Sequence, residues 1–221
     1  MPSFKVVANY IKSISSRYSV ELLEDIKLQR RGLSKSRGER LYPSTPGGTA
    51  GIDPDHISRY EWARHFCSGK RVIDYGCGVG YGAYLLSDVA ASVVGYDVSK
   101  EALVWARYYA EERPNLSFTD VLPIESFECI TCFECIEHVP DPQSTLDWLS
   151  EHTSGDVFIS TPEARKGGWG GFHIKEFEEE EFLSMLRERF ETVVMTEQMT
   201  FGCRVMLARC SHPQKENRRR V

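Results

Sequence analysis

The sequence predicts an α/β fold in which a mostly parallel sheet carries helices on both faces. Three observations predict it. The stretch Arg71–Gly82 reads as a short apolar strand that runs into a glycine-dense turn and then a helix. Strand and helix patterns alternate through the following residues. The last two strands, 191–196 and 202–209, have no helix between them, which predicts a terminal antiparallel hairpin. The chain has 221 residues, 41% hydrophobic and 27% charged, enough for one domain with its own core.

Taken in order, residues 1–54 are expected to form an N-terminal helical extension and a loop. Phe4, Val7, Ile11 and Ile14 fall at amphipathic spacing, and a second helix is expected from Val20 to about Arg30. The basic run from Lys27 to Arg40 reads as a solvated helix end, and the Pro/Gly-rich stretch 42–54 as a loop. A helix over 57–66 follows, capped by Asp55 and carrying His56, Arg59 and Tyr60 at its start. Val72 and Ile73 begin the first strand, which Asp74 closes. A helix at 81–88, a strand at 92–96 and a helix at 100–112 come next, then strands at 116–119, 127–133 and 156–160. Helices at 143–149 and 178–189 separate the later strands. The domain is expected to span 55–210, with 211–221 a polar tail.

The glycine turn narrows the chemistry. Gly76, Gly78 and Gly80 alternate with Cys77 and Val79, so a ligand can approach the backbone closely. Opening a helix, such a turn is expected to aim backbone N–H groups at the ligand. A dinucleotide fingerprint requires G-x-G-x-x-G/A directly after the strand. Counted from Gly76, its third position is Tyr81, so a nicotinamide dehydrogenase is excluded. Asp97 ends the second strand roughly 20 residues beyond the turn, where an acceptor-only carboxylate suits a ribose diol. Asp120 ends the third strand and can accept an exocyclic amine of adenine.

The bulk numbers exclude other classes. No apolar run reaches membrane-span length and the N-terminus lacks a signal-peptide core, so a cytoplasmic protein without a membrane partner is expected. Net charge −5 argues against broad adhesion to nucleic acid. Seven cysteines, an odd number, fit reduced thiols. Cys129, Cys132 and Cys135 have cluster-like spacing, but strand alternation points Cys129 and Cys132 to opposite faces. They read as packing residues.

Asp74, the glycine turn, Asp97, Asp120 and the closing hairpin, in that order, resemble class I S-adenosylmethionine (AdoMet) methyltransferases from about Tyr42 to Arg209. The resemblance implies a Rossmann-like, doubly wound, seven-stranded sheet with its last strand antiparallel. It implies that Gly76, Gly78 and Gly80 lie under the amino-acid part of AdoMet and that Asp74 orients the turn. Asp97 then holds the ribose, Asp120 and Val121 flank adenine, and Arg59 and Tyr60 reach the AdoMet carboxylate. Cys77, Val98 and Phe133 complete the expected cofactor contacts.

The segment Phe133-Glu-Cys-Ile-Glu-His-Val-Pro-Asp-Pro142 resembles the post-strand motif of ubiquinone-pathway, sugar and natural-product O-methyltransferases, and of small-RNA 2′-O-methyltransferases. On a helical turn Glu134, Glu137 and His138 would share one face and could hold Mg²⁺ or Mn²⁺, with His173 a further candidate ligand. The alternative is a metal-free site with His138 as general base beside Glu137. Gly167–Gly171 reads as a mobile lid that brings Trp169 over the acceptor. The expected activity is O-methylation of a small-molecule or sugar hydroxyl. An RNA 2′-O-methyltransferase and a non-catalytic AdoMet-binding subunit are the rivals.

Overall fold

The computed structural model describes residues 41–43, 51–110, 113–169, 171–200 and 202–214. The expected helices before Tyr42, the basic run and most of the polar tail lie outside these residues. The elements are α1 (Pro54–Cys67), β1 (Arg71–Tyr75), α2 (Tyr81–Ser87), β2 (Ser92–Tyr96), α3 (Lys100–Tyr109), β3 (Leu116–Thr119) and β4 (Phe127–Phe133). A 3₁₀ turn, Ile136–His138, precedes α4 (Pro142–His152), β5 (Thr153–Pro162), α5 (Glu179–Arg187), β6 (Phe190–Thr200) and β7 (Cys203–Pro213).

The seven strands form one sheet in the order β3-β2-β1-β4-β5-β7-β6. The first five run parallel, and β7 is antiparallel to both β5 and β6. Strand order therefore reverses between β1 and β4, and the crevice beyond their carboxyl ends is where open α/β sheets take ligands. The hairpin is longer than the sequence suggests, because Glu197–Thr200 continue to pair with Cys203–Met206. β7 also runs through Pro213, past the expected domain end.

Local chemistry sets the helix starts. Asp53, not Asp55, caps α1: its carboxylate accepts from Asp55 N at 2.9 Å, and Pro54 occupies the first turn. Proline belongs there because its missing N–H would have no helical partner. Ser99 caps α3, and Asp141 caps α4 by accepting from Gln143 N and Ser144 N.

Alternation along the strands feeds two apolar layers. Ile73, Ile130, Cys132 and Ile159 pack with Leu146 and Leu149 of α4 and Phe182 and Leu186 of α5. On the other face Val72, Val93, Cys129 and Phe158 pack with Tyr60, Ala63 and Cys67 of α1 and Leu86 of α2. Cys129 and Cys132 thus serve different layers, as strand alternation requires. The Cys129 thiol touches Cys67, at 2.7 Å between sulfurs, and both cysteines are free.

Candidate active site

The glycine turn leaves β1 with Gly76, Gly78 and Gly80 all at positive φ. At Gly76 a Cβ would also collide with the Cys135 side chain, so the turn and the end of β4 pack backbone against side chain. Its donors are already spent. Gly76 N and Cys77 N both donate to Tyr96 O, at 2.8 and 2.9 Å, and Gly80 N donates to Cys77 O at 2.9 Å. Gly78 N donates to Asp97 Oδ2 at 2.8 Å. The turn therefore offers an accessible backbone surface rather than the row of N–H donors expected from its glycines. Cys77 is buried, with its thiol on Gly78 O.

Asp74 anchors this turn from below. Its buried carboxylate accepts from Thr131 Oγ1 of β4 at 2.7 Å and from Tyr60 Oη of α1 at 3.2 Å. Tyr60 is also buried, packed edge-on against Phe133 and filling the space left by the missing Cβ of Gly82. Tyr60 thus braces the turn, with Phe133 against its ring. Burial pushes the Asp74 carboxyl up from 3.8 to about 7, against the lowering effect of its hydrogen bonds. The unfolded chain therefore ionises this group first, so its contribution to stability declines as pH rises from 3.8 to about 7 and is constant above. Unfolding free energies of wild type and Asp74→Asn across that window should show their difference shifting in the variant's favour. A pH-independent difference would refute the raised value.

Asp97 stands at the end of β2 with both oxygens in use: Oδ2 takes Gly78 N and Oδ1 takes Ser99 N at 2.8 Å. Each oxygen keeps a further lone pair for a ligand hydroxyl. Beside it Val98 is 78% exposed and Val121 71% exposed, so two apolar side chains stand open near Asp97 and Asp120. Asp120 pairs with Lys100 at 3.5 Å.

Arg59 of α1 is a buried charge. It is 1% exposed, its Nε donates to Gln198 Oε1 at 2.7 Å, and Nη1 and Nη2 are buried without a hydrogen bond among the described residues. Nη1 lies 3.4 Å from Glu134 Oε1. Burial, with Arg59 close by, lowers the neighbouring His56 from 6.5 to about 4, so that imidazole is neutral near pH 7. His56 Nδ1 meets Tyr81 Oη at 3.1 Å.

After β4 the expected shared helical face does not form. Glu134 sits at φ +48°, outside the 3₁₀ turn that begins at Ile136, and its carboxylate accepts from Ser160 Oγ at 2.9 Å. It pairs with Arg59, and Glu137 and His138 take other partners. Those two instead meet His173: one ligand atom from each of the three lies within 4.8 Å of the others. Backbone bonds bring this loop over. Ile174 N and Lys175 N both donate to Glu137 O, and His138 Nδ1 donates to Phe172 O at 3.0 Å. A carbonyl only accepts, so Nδ1 carries a proton, and Nε2 lies 3.9 Å from Glu137 Oε1. Glu137 is 1% exposed and neither carboxyl oxygen has a hydrogen-bond partner among the described residues. Burial, reinforced by the Glu134 carboxylate, pushes its carboxyl well above the ordinary range. The arrangement can take a proton at His138 Nε2, or hold a cation with one oxygen and two nitrogens.

Trp169 is tied down rather than loose. Its Nε1 donates to Glu163 O at 2.8 Å, its backbone N donates to the Glu176 carboxylate, and its ring stacks between Arg165 and His173. His173 in turn meets His138 edge-on, at 4.8 Å between ring centres. Arg204 of β7 clamps both ends of this loop, with Nη1 on Glu163 at 2.8 Å and on Glu179 at 2.6 Å. Arg204→Ala should leave cofactor affinity unchanged but speed tryptic cleavage after Arg165 or Lys166 several-fold. Unchanged cleavage would show that the loop holds without the clamp.

The spacing of motifs does not disclose Thr131, Gln198, Ser160 or Arg204. Thr131 faces Asp74 only through the β1–β4 register, and Gln198 reaches Arg59 from the far end of the chain.

A family model described as a methyltransferase domain matches residues 53–200. The chain is 38% identical over 117 residues to the ubiquinone biosynthesis O-methyltransferase of Albidiferax ferrireducens, covering 47% of this chain and 46% of that protein. It is 33% identical over 142 residues to a Mycolicibacterium smegmatis protein named as a probable S-adenosylmethionine-dependent methyltransferase, covering 59% and 55%. The chain thus spans about half the length of these relatives. The same fold occurs in the N-methyltransferase NodS of Bradyrhizobium japonicum, with TM-score 0.59, 15% identity and 74% and 99% of the two chains covered. It occurs also in magnesium protoporphyrin IX methyltransferase of Synechocystis, solved with bound AdoMet, with TM-score 0.58, 18% identity and coverage of 72% and 79%. Seven strands in this order, a glycine turn at the switch point and a domain match over most of the described residues place the chain in the class I AdoMet-dependent methyltransferase family.

Proposed function

We propose that this chain transfers a methyl group from AdoMet to a hydroxyl of a small molecule or sugar, with His138 as general base. The observation that carries this reading is the His138 imidazole. Phe172 O holds its Nδ1–H, and the residue follows β4, which with β1 borders the crevice where strand order reverses. Likeness to ubiquinone biosynthesis O-methyltransferases supports oxygen as the accepting atom.

AdoMet carries no phosphate, which suits a turn whose N–H groups at Gly76, Cys77, Gly78 and Gly80 are already engaged. The two Nη groups of Arg59, which make no hydrogen bond among the described residues, fit the ligand's carboxylate, because a fork of N–H donors matches two oxygens. Asp97 takes the ribose diol on its remaining lone pairs, while Val98 and Val121 cover the faces of adenine. Bound AdoMet supplies an electrophilic sulfonium methyl. The residues of the chain hold the acceptor hydroxyl in line with it and remove its proton at His138 Nε2.

A second reading is favoured by the Glu137–His138–His173 cluster. The buried Glu137 oxygens, which lack a hydrogen bond among the described residues, and two imidazoles fit a divalent cation. One oxygen and two nitrogens suit Mn²⁺ better than Mg²⁺, which prefers oxygen ligands. Such an ion would lower the acceptor hydroxyl's pKa.

Calorimetry with AdoMet, its demethylated product and NAD, followed by labelled methyl transfer to a panel of catechols, sugars and RNA ends, tests the proposal. Binding of the first two ligands and labelling of a catechol or sugar are expected. Binding of NAD alone would refute it, and labelling confined to RNA would move the assignment to an RNA 2′-O-methyltransferase.

A further inference from the structure

We propose that Cys67 and Cys129 form a redox modification site, which closes to an intramolecular disulfide under a small peroxide oxidant. The bond staples α1 to β4, whatever ligand the crevice takes.

The two sulfurs stand 2.7 Å apart, both as free thiols and both fully buried. A disulfide requires about 2.0 Å between sulfurs, so a small side-chain movement closes the bond. The two residues are 62 apart in sequence, and only the fold brings them together. Cys67 is the last residue of α1, and Cys129 lies in β4, flanked by β1 and β5. Lys70, just beyond α1, pairs at 3.5 Å with Asp156, the register neighbour of Cys129 on β5. An ion pair thus already ties the end of α1 to the sheet at this point. Cys132 does not compete for Cys129, because it belongs to the opposite apolar layer.

The elements that this bond joins are the ones that hold Asp74. Tyr60, two helical turns before Cys67, lies on the same buried face of α1. Thr131, two residues after Cys129, lies on the same face of β4. Both donate to the Asp74 carboxylate. The contact between α1 and β4 therefore has two rungs, a hydrogen-bonded one at Asp74 and a thiol one farther from the crevice. A covalent second rung keeps the first in place and leaves the crevice unobstructed.

The chemistry balances with peroxide alone. One thiol is taken to a sulfenic acid with release of water. The other sulfur then attacks it, forming the S–S bond and releasing a second water. The two sulfurs lose two electrons and two protons, which pass to the two oxygens of the cleaved O–O bond. Excess small thiol reverses the bond by exchange. The hydrogen bond to Cys67, and then burial, push the Cys129 thiol up, so the closed pair reacts slowly. Oxidation proceeds when the last turn of α1 opens, as helix ends do most readily. Ser68 and Gly69, just beyond that turn, are exposed.

Hydrogen peroxide treatment of the full chain tests this, in native buffer and in urea just below the unfolding transition. The products are alkylated, digested and mapped by tandem mass spectrometry. Expected in either condition is a pair of peptides joined through Cys67 and Cys129, two hydrogens lighter than the reduced pair and separated again by dithiothreitol. The linked protein should melt roughly 5–10 °C above the reduced protein, since the bond closes a long loop in the unfolded chain. Cys67→Ala should show neither the link nor the shift. Should that variant fail to fold, peptide mapping and melting of the wild type decide the matter. Full alkylation of both thiols after oxidation in both conditions would overturn the inference, as would a bond confined to other cysteines. Linked protein that melts no higher than reduced protein would overturn the staple.

Discussion

His138→Ala is expected to lower methyl transfer by roughly 10²–10⁴-fold, the usual contribution of a positioned base, while AdoMet affinity stays within a factor of two. Chelator should leave turnover unchanged, and Glu137→Gln should be mild. The geometry explains why. Burial pushes the Glu137 carboxyl well above its ordinary range, and an amide of the same shape fills the same buried space. If chelator instead abolishes turnover and Glu137→Gln falls as far as His138→Ala, the Glu137–His138–His173 cluster is a metal centre. Activity that survives both chelator and His138→Ala would refute both roles and leave proximity alone to account for the rate.

Asp97→Ala is expected to weaken AdoMet by roughly 3–6 kcal/mol, from two charge-assisted ribose hydrogen bonds at about 1.5–3 kcal/mol each. Because Asp97 also holds Gly78 N and Ser99 N, a loss could instead come from a slackened turn. A cofactor analogue without the ribose hydroxyls separates the two effects. If Asp97 reads the diol, the variant and wild type bind that analogue alike. An equal loss with both ligands would assign Asp97 to the turn, and unchanged affinity for AdoMet would remove it from the site.

What could be read in order along the chain was what rests on local interactions. Alternation of apolar residues placed β1 to β5 and their faces, including the separation of Cys129 from Cys132. The terminal hairpin follows from two strands with no helix between them. The glycine turn and the acids at the ends of β1, β2 and β3 follow from steric and hydrogen-bonding needs that neighbouring residues already express. The helix before β1 was legible too, although its cap moved from Asp55 to Asp53.

What the tertiary structure alone decided depends on register and on loops folding back. Asp74 and Thr131 become partners because β1 and β4 are adjacent in this register, and burial there, not composition, raises the Asp74 carboxyl to about 7. Tyr60 lies beneath the turn because Gly82 leaves room for its ring. Glu134, Glu137 and His138 are neighbours in sequence, yet a left-handed residue before a 3₁₀ turn splits them between two groups. Glu134 goes to Arg59, while Glu137 and His138 go to His173, which backbone bonds at Phe172, Ile174 and Lys175 deliver from the following loop. Spacing in the sequence states which side chains a helix could align. The backbone path, and the burial it creates, determine which charges actually meet.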